Sequence, residues 1–240
     1  MQVEESRICL SVVLPTLDRI DTALFLALRL RDLFRGISTE VIIVTPRGAP
    51  GADTREGIQI LADGGRGVYR AYARGLREAR GEYVWLLGDD DFPLDAAANL
   101  SGILSAGVAD VIVAPVIFSS GKLYRPKHGK LGLLLRNWCQ QGVIYRRTEL
   151  ARYRFHRRLR VQADHFVNVL LRADSSIKLR FLEVPICVFG VHGISSRGGD
   201  DSFRKLRPAL AKRTLSVPAF VVFQIVSLAG MVKNKLRKVS

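Results

Sequence analysis

Residues 81–91 read Gly81-Glu82-Tyr83-Val84-Trp85-Leu86-Leu87-Gly88-Asp89-Asp90-Asp91. An apolar run from Tyr83 to Leu87 leads directly into three carboxylates. Such an unbroken run reads as a strand buried on both faces, as in a parallel sheet between layers of helix. In open sheets of this kind, ligands bind beyond the carboxyl ends of the strands. Adjacent carboxylates placed there repel one another unless a cation lies among them. A hard divalent ion bridging to a diphosphate removes that repulsion. A solvated acidic turn capping a helix after Pro93 would leave the same letters. The strand-end position favours the cation.

Three more apolar runs accompany this one: residues 8–15 (ICLSVVLP), 40–45 (EVIIVT) and 111–117 (VIVAPVI). Between the second run and residue 83, the stretch 67–80 has helical periodicity. Val68, Ala71, Tyr72, Gly75, Leu76 and Ala79 share one face, with Arg70, Arg74, Arg77 and Glu78 mainly elsewhere. Residues 20–35 read as a second, more apolar helix. Beyond residue 120 the pattern turns mixed. Residues 121–137 read as loop, 143–146 and 181–189 as strands, and 163–173 as a helix. The expected fold is α/β, with a mostly parallel, Rossmann-like central sheet covered by helices on both faces.

A chain of 240 residues with 48% hydrophobic residues can bury a full core and is not disordered. Its net charge of +15 points to anionic partners: nucleic acid, nucleotide phosphates, a lipid-linked pyrophosphate or an acidic membrane face. The three cysteines lack metal-ligand spacing and read as reduced thiols of a cytosolic chain. The polar, acidic start (Val3-Glu4-Glu5-Ser6) lacks the basic-then-apolar order of a secretory signal. The expected location is cytoplasmic, peripheral on the inner membrane face.

Several motifs together resemble the family 2 glycosyltransferases of the GT-A fold, and within them the single-domain enzymes of surface polysaccharide synthesis. Ser11-Val12-Val13-Leu14-Pro15-Thr16 is similar to the opening strand and loop that hold the nucleotide base. The helix from Gly67-Val68-Tyr69 and its continuation Ala79-Arg80-Gly81-Glu82-Tyr83 resemble the approach to the metal strand. Asp89-Asp90-Asp91 stands at the DxD motif. Cys139-Gln140-Gln141-Gly142-Val143-Ile144-Tyr145 and Gly190-Val191-His192-Gly193-Ile194-Ser195 resemble further family segments, and Ala163-Asp164-His165 lies at the acceptor-activating carboxylate.

The resemblance implies a sugar transfer from a nucleotide diphosphate, with inversion and with a divalent metal, Mn or Mg. Asp91, helped by Asp89, would hold the metal. Asp89 would also lie near the ribose, and Asp164 would be the base. Pro15, Thr16, Asp90 and Arg66, in the Gly64-Gly65-Arg66-Gly67 loop, join the nucleotide-sugar site. The family usually ends its second strand with an acidic pair that contacts the base. Here Thr45-Pro46-Arg47-Gly48 stands instead, and Asp18 and Asp63 are near enough to replace that contact. A UDP-sugar is the first donor to test, with a glycan or polyprenyl-linked acceptor. Residues 1–118 would be the nucleotide-binding half and 119–210 the acceptor half.

Two other classes share some of these features. A nucleotidyltransferase on a related fold would need a metal at the same carboxylates. A non-catalytic basic protein would use the run Arg146, Arg147, Arg152, Arg154, His156, Arg157, Arg158 and Arg160, interleaved with Tyr145, Tyr153 and Phe155, as a nucleic-acid groove. A charge run is more often a solvated face, and nucleic acid is not the expected partner. Residues 211–240 form the last expected unit. Leu215 to Val232 is nearly all apolar and Lys233, Lys235, Arg237 and Lys238 follow, as in a helix lying on anionic lipid. A helix packed on the domain or on a second subunit fits the same pattern.

Overall fold

The computed structural model describes residues 8–48, 57–156, 159, 161–190 and 201–236, with side chains described as far as residue 230. The chain opens β1 (Leu10–Pro15), α1 (Ile20–Leu33), β2 (Thr39–Thr45), β3 (Ile58–Ala62), α2 (Val68–Glu78), β4 (Tyr83–Leu86). β1 pairs in parallel with both β2 and β4, so the first and third apolar runs lie side by side at the centre of the sheet. Side chains alternate between the two faces, as the period of a strand requires. Val13, Ile42, Val44, Val84 and Leu86 meet α2 on one face. Val12, Leu14, Val41, Ile43 and Trp85 meet α1 on the other. Both faces are dry, which is why these strands carry no polar alternation. α2 lies so close to β1 that a Cβ on Gly75 would overlap Val13 Cγ1.

The chain continues with β5 (Phe92–Pro93), a 3-10 turn (Asp95–Asn99), α3 (Leu100–Ala106), β6 (Val111–Val113), β7 (Val116–Phe118), β8 (Leu123–Tyr124) and α4 (Lys130–Leu135). A second 3-10 turn (Gln140–Gly142) leads into β9 (Val143–Arg146), α5 (Arg147–Tyr153), α6 (Ala163–Ala173), β10 (Leu179–Phe181) and β11 (Cys187–Phe189). The main sheet has seven strands in the order β10-β6-β9-β4-β1-β2-β3. β9 is antiparallel to both neighbours, β4 and β6, and the other pairings are parallel. A small second sheet has the order β5-β11-β7-β8. The expected mostly parallel sheet with helices on both faces is present.

Four local readings change. Residues 111–117 form two strands in different sheets, because Pro115 lacks the N–H that a continuous ladder needs. Residues 181–189 likewise hold parts of two strands, with Pro185 between them. The stretch 121–137, read as loop, contains β8 and α4, and α4 buries Leu133 and Leu134 completely. β3 is an added edge strand, whose exposed Gln59 and Ala62 dilute the apolar signal.

The Arg-rich run is not a continuous groove over its described part. Arg146 is fixed by Glu82, Asp110 and the Gly107 carbonyl, Arg147 donates to the Gly81 carbonyl, and Arg152 pairs with Glu149 and Asp174. Phe155 packs on Tyr69 and Tyr72. Arg157, Arg158 and Arg160 lie outside the described residues.

At the C-terminus, α7 (Asp201–Thr214) buries Phe203, Leu210 and Ala211, and α8 (Val217–Leu236) follows it. Phe223 of α8 is buried, with the Arg207 guanidinium over its ring. Val217, Val221, Ile225 and Leu228, spaced along another stripe of α8, are exposed. Among the described residues no helix is long and apolar enough to cross a membrane.

Candidate active site

The ends of β1, β2, β3 and β4 open into one cleft of about 760 Å³. From the first part of the chain it is lined by Pro15, Thr16, Asp18, Asp63 and the triplet Asp89, Asp90 and Asp91, among others. It is also lined by Arg136 to Gln141, by Asp164 near the start of α6, and by Phe118, Tyr124 and Phe189 of the second sheet. The fold thus gathers Pro15, Thr16, Asp18, Asp63, Asp89, Asp90, Asp91 and Asp164 around one space. Arg66 is exposed and is not part of that lining, whereas Gly65 and Gly67 beside it are. Gly64, Gly65 and Gly67 all have positive φ, so the loop keeps a path that residues with a Cβ rarely adopt.

The three carboxylates have different environments. Asp89 is nearly buried. Its Oδ2 accepts from Thr16 Oγ1 at 2.5 Å and from Arg19 Nε at 3.1 Å, and Arg19 Nη2 donates to its Oδ1. Asp91 is 1% exposed. Its Oδ2 accepts the Gly88 N–H at 2.6 Å and its Oδ1 the Gly190 N–H at 3.2 Å. Burial, aided by the charge of Asp90, pushes its pKa up to about 7 despite those two donors. Asp90 keeps a buried Oδ2 with no partner. Gly190 packs directly on Asp90, where a Cβ would overlap its backbone oxygen.

Asp164, in the first turn of α6 and also lining the cleft, is 7% exposed. Tyr69 donates to Oδ1 at 2.6 Å and Asn137 Nδ2 to Oδ2 at 2.6 Å. The Tyr69 hydroxyl also faces the Val161 carbonyl, so one proton serves two acceptors. Asn137 is held by Asn168 Nδ2 at 3.0 Å, and Tyr145 donates to Asn168 Oδ1 at 2.8 Å. Burial raises the pKa of Asp164, and the Tyr69 hydrogen bond is the largest influence in the other direction. The result is a carboxylate of increased basicity with a fixed orientation, which suits proton abstraction.

Tyr69, Asn137 and Arg19 were not expected in these roles. Asn137 lay in a stretch read as loop, and nothing in local spacing marks Arg19 as the partner of a residue seventy positions on. Asp63 follows β3 beside Thr45, whose carbonyl accepts its N–H at 3.0 Å, so it stands at the end of β2. His165 is buried, with Nε2 2.7 Å from the Leu133 carbonyl and its ring on Phe203. That is a core histidine, whose pKa burial lowers to about 4. His192 and the rest of its segment lie outside the described residues.

The chain matches no family model. It is similar to the PGL/p-HBAD biosynthesis glycosyltransferases of Mycobacterium tuberculosis and Mycobacterium bovis. The identity is 27% over 180 residues, which is 72% of this chain and 70% of theirs. Among solved structures it superposes on TarS of S. aureus with a TM-score of 0.62 at 16% identity. That match covers 90% of this chain, and the chain spans 42% of the TarS length. It also superposes on the mannosyltransferase PcManGT of Pyrobaculum calidifontis, solved with GDP-Man and Mn2+. There the TM-score is 0.56 at 15% identity, covering 95% of this chain and 81% of that one. The chain is a glycosyltransferase, and it shares its fold with TarS and PcManGT. In this glycosyltransferase the cleft lies at the carboxyl ends of β1, β2 and β4, where the sheet opens between the two halves of the chain.

Proposed function

We propose that the enzyme transfers a sugar with inversion from a nucleoside diphosphate sugar, with Asp164 as base and a divalent cation at Asp91. The observation that carries this reading is that Asp91 and Asp164, both buried, line one cleft. The acceptor hydroxyl gives its proton to the Asp164 carboxylate. Its oxygen bonds to the anomeric carbon, and the electrons of the breaking C–O bond leave with the nucleoside diphosphate. Residues 1–118 supply the nucleotide side and 119–210 the acceptor side, including Asp164.

The donor set suits a hard cation. Asp90 Oδ2 is buried without a partner and the acidity of Asp91 is suppressed by burial, and a nearby cation relieves both. Asp89 is already engaged by Thr16 and Arg19 and has less to offer. Among the described residues no three His, Cys, Asp or Glu side chains form a ready cage. Such an ion would complete its shell with diphosphate oxygens and water, and would neutralise the leaving group. TarS has been solved with UDP-GlcNAc and PcManGT with GDP-Man, so both uridine and guanosine donors belong in the trial. Thermal melts against UDP- and GDP-sugars, with and without Mn2+, should show one donor raising Tm in a cation-dependent way. If no donor does so, the reading fails.

The membrane reading gains support from α8. Its exposed stripe Val217, Val221, Ile225 and Leu228 faces away from the buried Phe223, and four basic residues follow in the sequence. We place this stripe on an anionic membrane surface, where the lipid-linked acceptor would be found. In co-sedimentation, vesicles containing phosphatidylglycerol should retain the protein and neutral vesicles should not. Val221→Glu with Ile225→Glu should release it. Retention unchanged by that pair rules the placement out, and a dimer lost in the pair assigns the stripe to a second subunit.

A further inference from the structure

Three tyrosines line the cleft: Tyr69, Tyr72 and Tyr124. Two of them have committed their proton. Tyr69 donates to Asp164 and faces the Val161 carbonyl, and Tyr124 donates to the Asn137 carbonyl. Among the described residues nothing accepts from the Tyr72 hydroxyl. The side-chain oxygens that are both unpartnered and sealed from solvent include Thr45 Oγ1 and Asp90 Oδ2, but not the Tyr72 hydroxyl. Tyr72 is 5% exposed and lines the cleft, so the little surface it keeps includes that oxygen.

The ring that carries this hydroxyl is firmly held. Ala71, Tyr72 and Gly75 form the buried face of α2, and Gly75 lets the helix close onto Val13 of β1. The Tyr72 ring centroid lies 6.3 Å from that of Tyr69 and 6.4 Å from that of Phe155. Burial first, then the charges of Asp91, Asp164 and Asp90, hold the Tyr72 pKa well above the ordinary tyrosine value. One hydroxyl thus feels the proposed metal ligand and the proposed base together, bonds to neither, and keeps its proton at neutral pH. Tyr69, nearly one turn earlier on the same helix, makes the contrast: its proton is spent on holding Asp164.

We infer that the Tyr72 hydroxyl donates a hydrogen bond to the leaving diphosphate oxygen of the sugar nucleotide, and so stabilises the charge that collects there as the sugar departs. The inference rests on the transfer proposed above. In that transfer the attacking oxygen gives its proton to Asp164, and the diphosphate lies by Asp91. The breaking C–O bond leaves its electron pair on the diphosphate oxygen. A donor within electrostatic reach of both carboxylates suits that atom. A fixed, neutral O–H needs no reorganisation when the charge arrives. The phenol keeps its proton throughout, and the nucleoside diphosphate leaves as the anion.

The test uses Tyr72→Phe, which keeps the ring and removes only the oxygen. The full chain is melted alone and, with Mn2+ present, against a nucleoside monophosphate, the diphosphate and the matching sugar nucleotide. Turnover is followed as hydrolysis of the sugar nucleotide, which breaks the same bond and needs no identified acceptor. The variant alone should melt close to wild type, since no hydrogen bond within the protein is lost. Its responses to the monophosphate and to the sugar nucleotide should be unchanged. Its response to the free diphosphate, which carries the full charge on that oxygen, should shrink. kcat should fall about a hundredfold with KM within a few-fold, as for a donor used in the transition state and not in the ground state. A variant that keeps the wild-type kcat or the full diphosphate response overturns the inference. So does one that melts well below wild type, which makes the hydroxyl structural, or one that loses the monophosphate response, which puts it on the nucleoside. If wild type itself gains nothing from any sugar nucleotide, the donor reading falls and takes this inference with it. If wild type responds and the variant matches it throughout, this inference alone falls.

Discussion

Asp164→Asn should lower turnover by about a hundred- to ten-thousandfold, the usual contribution of a positioned general base. The fold should tolerate the change. An asparagine can turn its oxygen to Asn137 Nδ2 and its amide to the Tyr69 hydroxyl oxygen, whose proton then goes wholly to the Val161 carbonyl. Stability at neutral pH should hold or rise. A carboxyl whose folded pKa is raised contributes stability below its unfolded pKa, and that contribution is lost as pH rises through the folded value. An amide stands in permanently for the neutral form. Donor affinity should stay within a few-fold, because the base acts on the acceptor. In wild type the rate should rise with pH through the raised pKa of Asp164, and the variant should lack that limb. Tyr69→Phe removes the strongest influence that lowers this pKa, so it should move the limb to higher pH with activity retained. A collapse of donor binding in Asp164→Asn would place Asp164 in the donor site instead.

The parts of this enzyme that could be read from sequence are those in which one environment acts on consecutive residues. β1, β2 and β4 are buried on both faces, so their letters are apolar without a break. α2 has one dry face against Val13 and Val44, so its period shows. The Asp triplet stood out because it ends a buried strand, whereas Asp164 stood out only through the resemblance, since an Asp in the first turn of a helix is common. What stayed hidden depends on partners distant in the chain. Asn137 matters because α6 brings Asp164 and Asn168 to it, and Arg19 because β4 ends beside β1. β3 is half exposed at an edge, so its pattern is weak. Pro115 and Pro185 did carry the signal for splitting two strands. Only the second sheet gives those prolines their meaning, since β7 and β11 pair with each other there.

Asp91→Asn should remove nearly all transfer. Both carboxylate oxygens of Asp91 accept a backbone N–H, from Gly88 and from Gly190. An asparagine must turn its NH2 toward one of them, and the longer contact to Gly190 yields more easily. The packing of β4 beneath is untouched, since Trp85 and Leu86 are buried against other layers. The fold should therefore persist while a hard anionic ligand disappears. Loss of the cation response should accompany loss of transfer: the sugar nucleotide should raise Tm equally with and without Mn2+. Asp89→Asn should behave differently. It weakens the grip on Thr16 and Arg19, so its first effect should be on nucleotide affinity. An Asp91→Asn enzyme that keeps more than about a tenth of its activity, a barrier change under roughly 1.4 kcal/mol, is incompatible with a ligand to the ion that neutralises the leaving group. Retained activity together with a retained cation response would move the ion to Asp90, whose buried and unpartnered Oδ2 is the next available ligand.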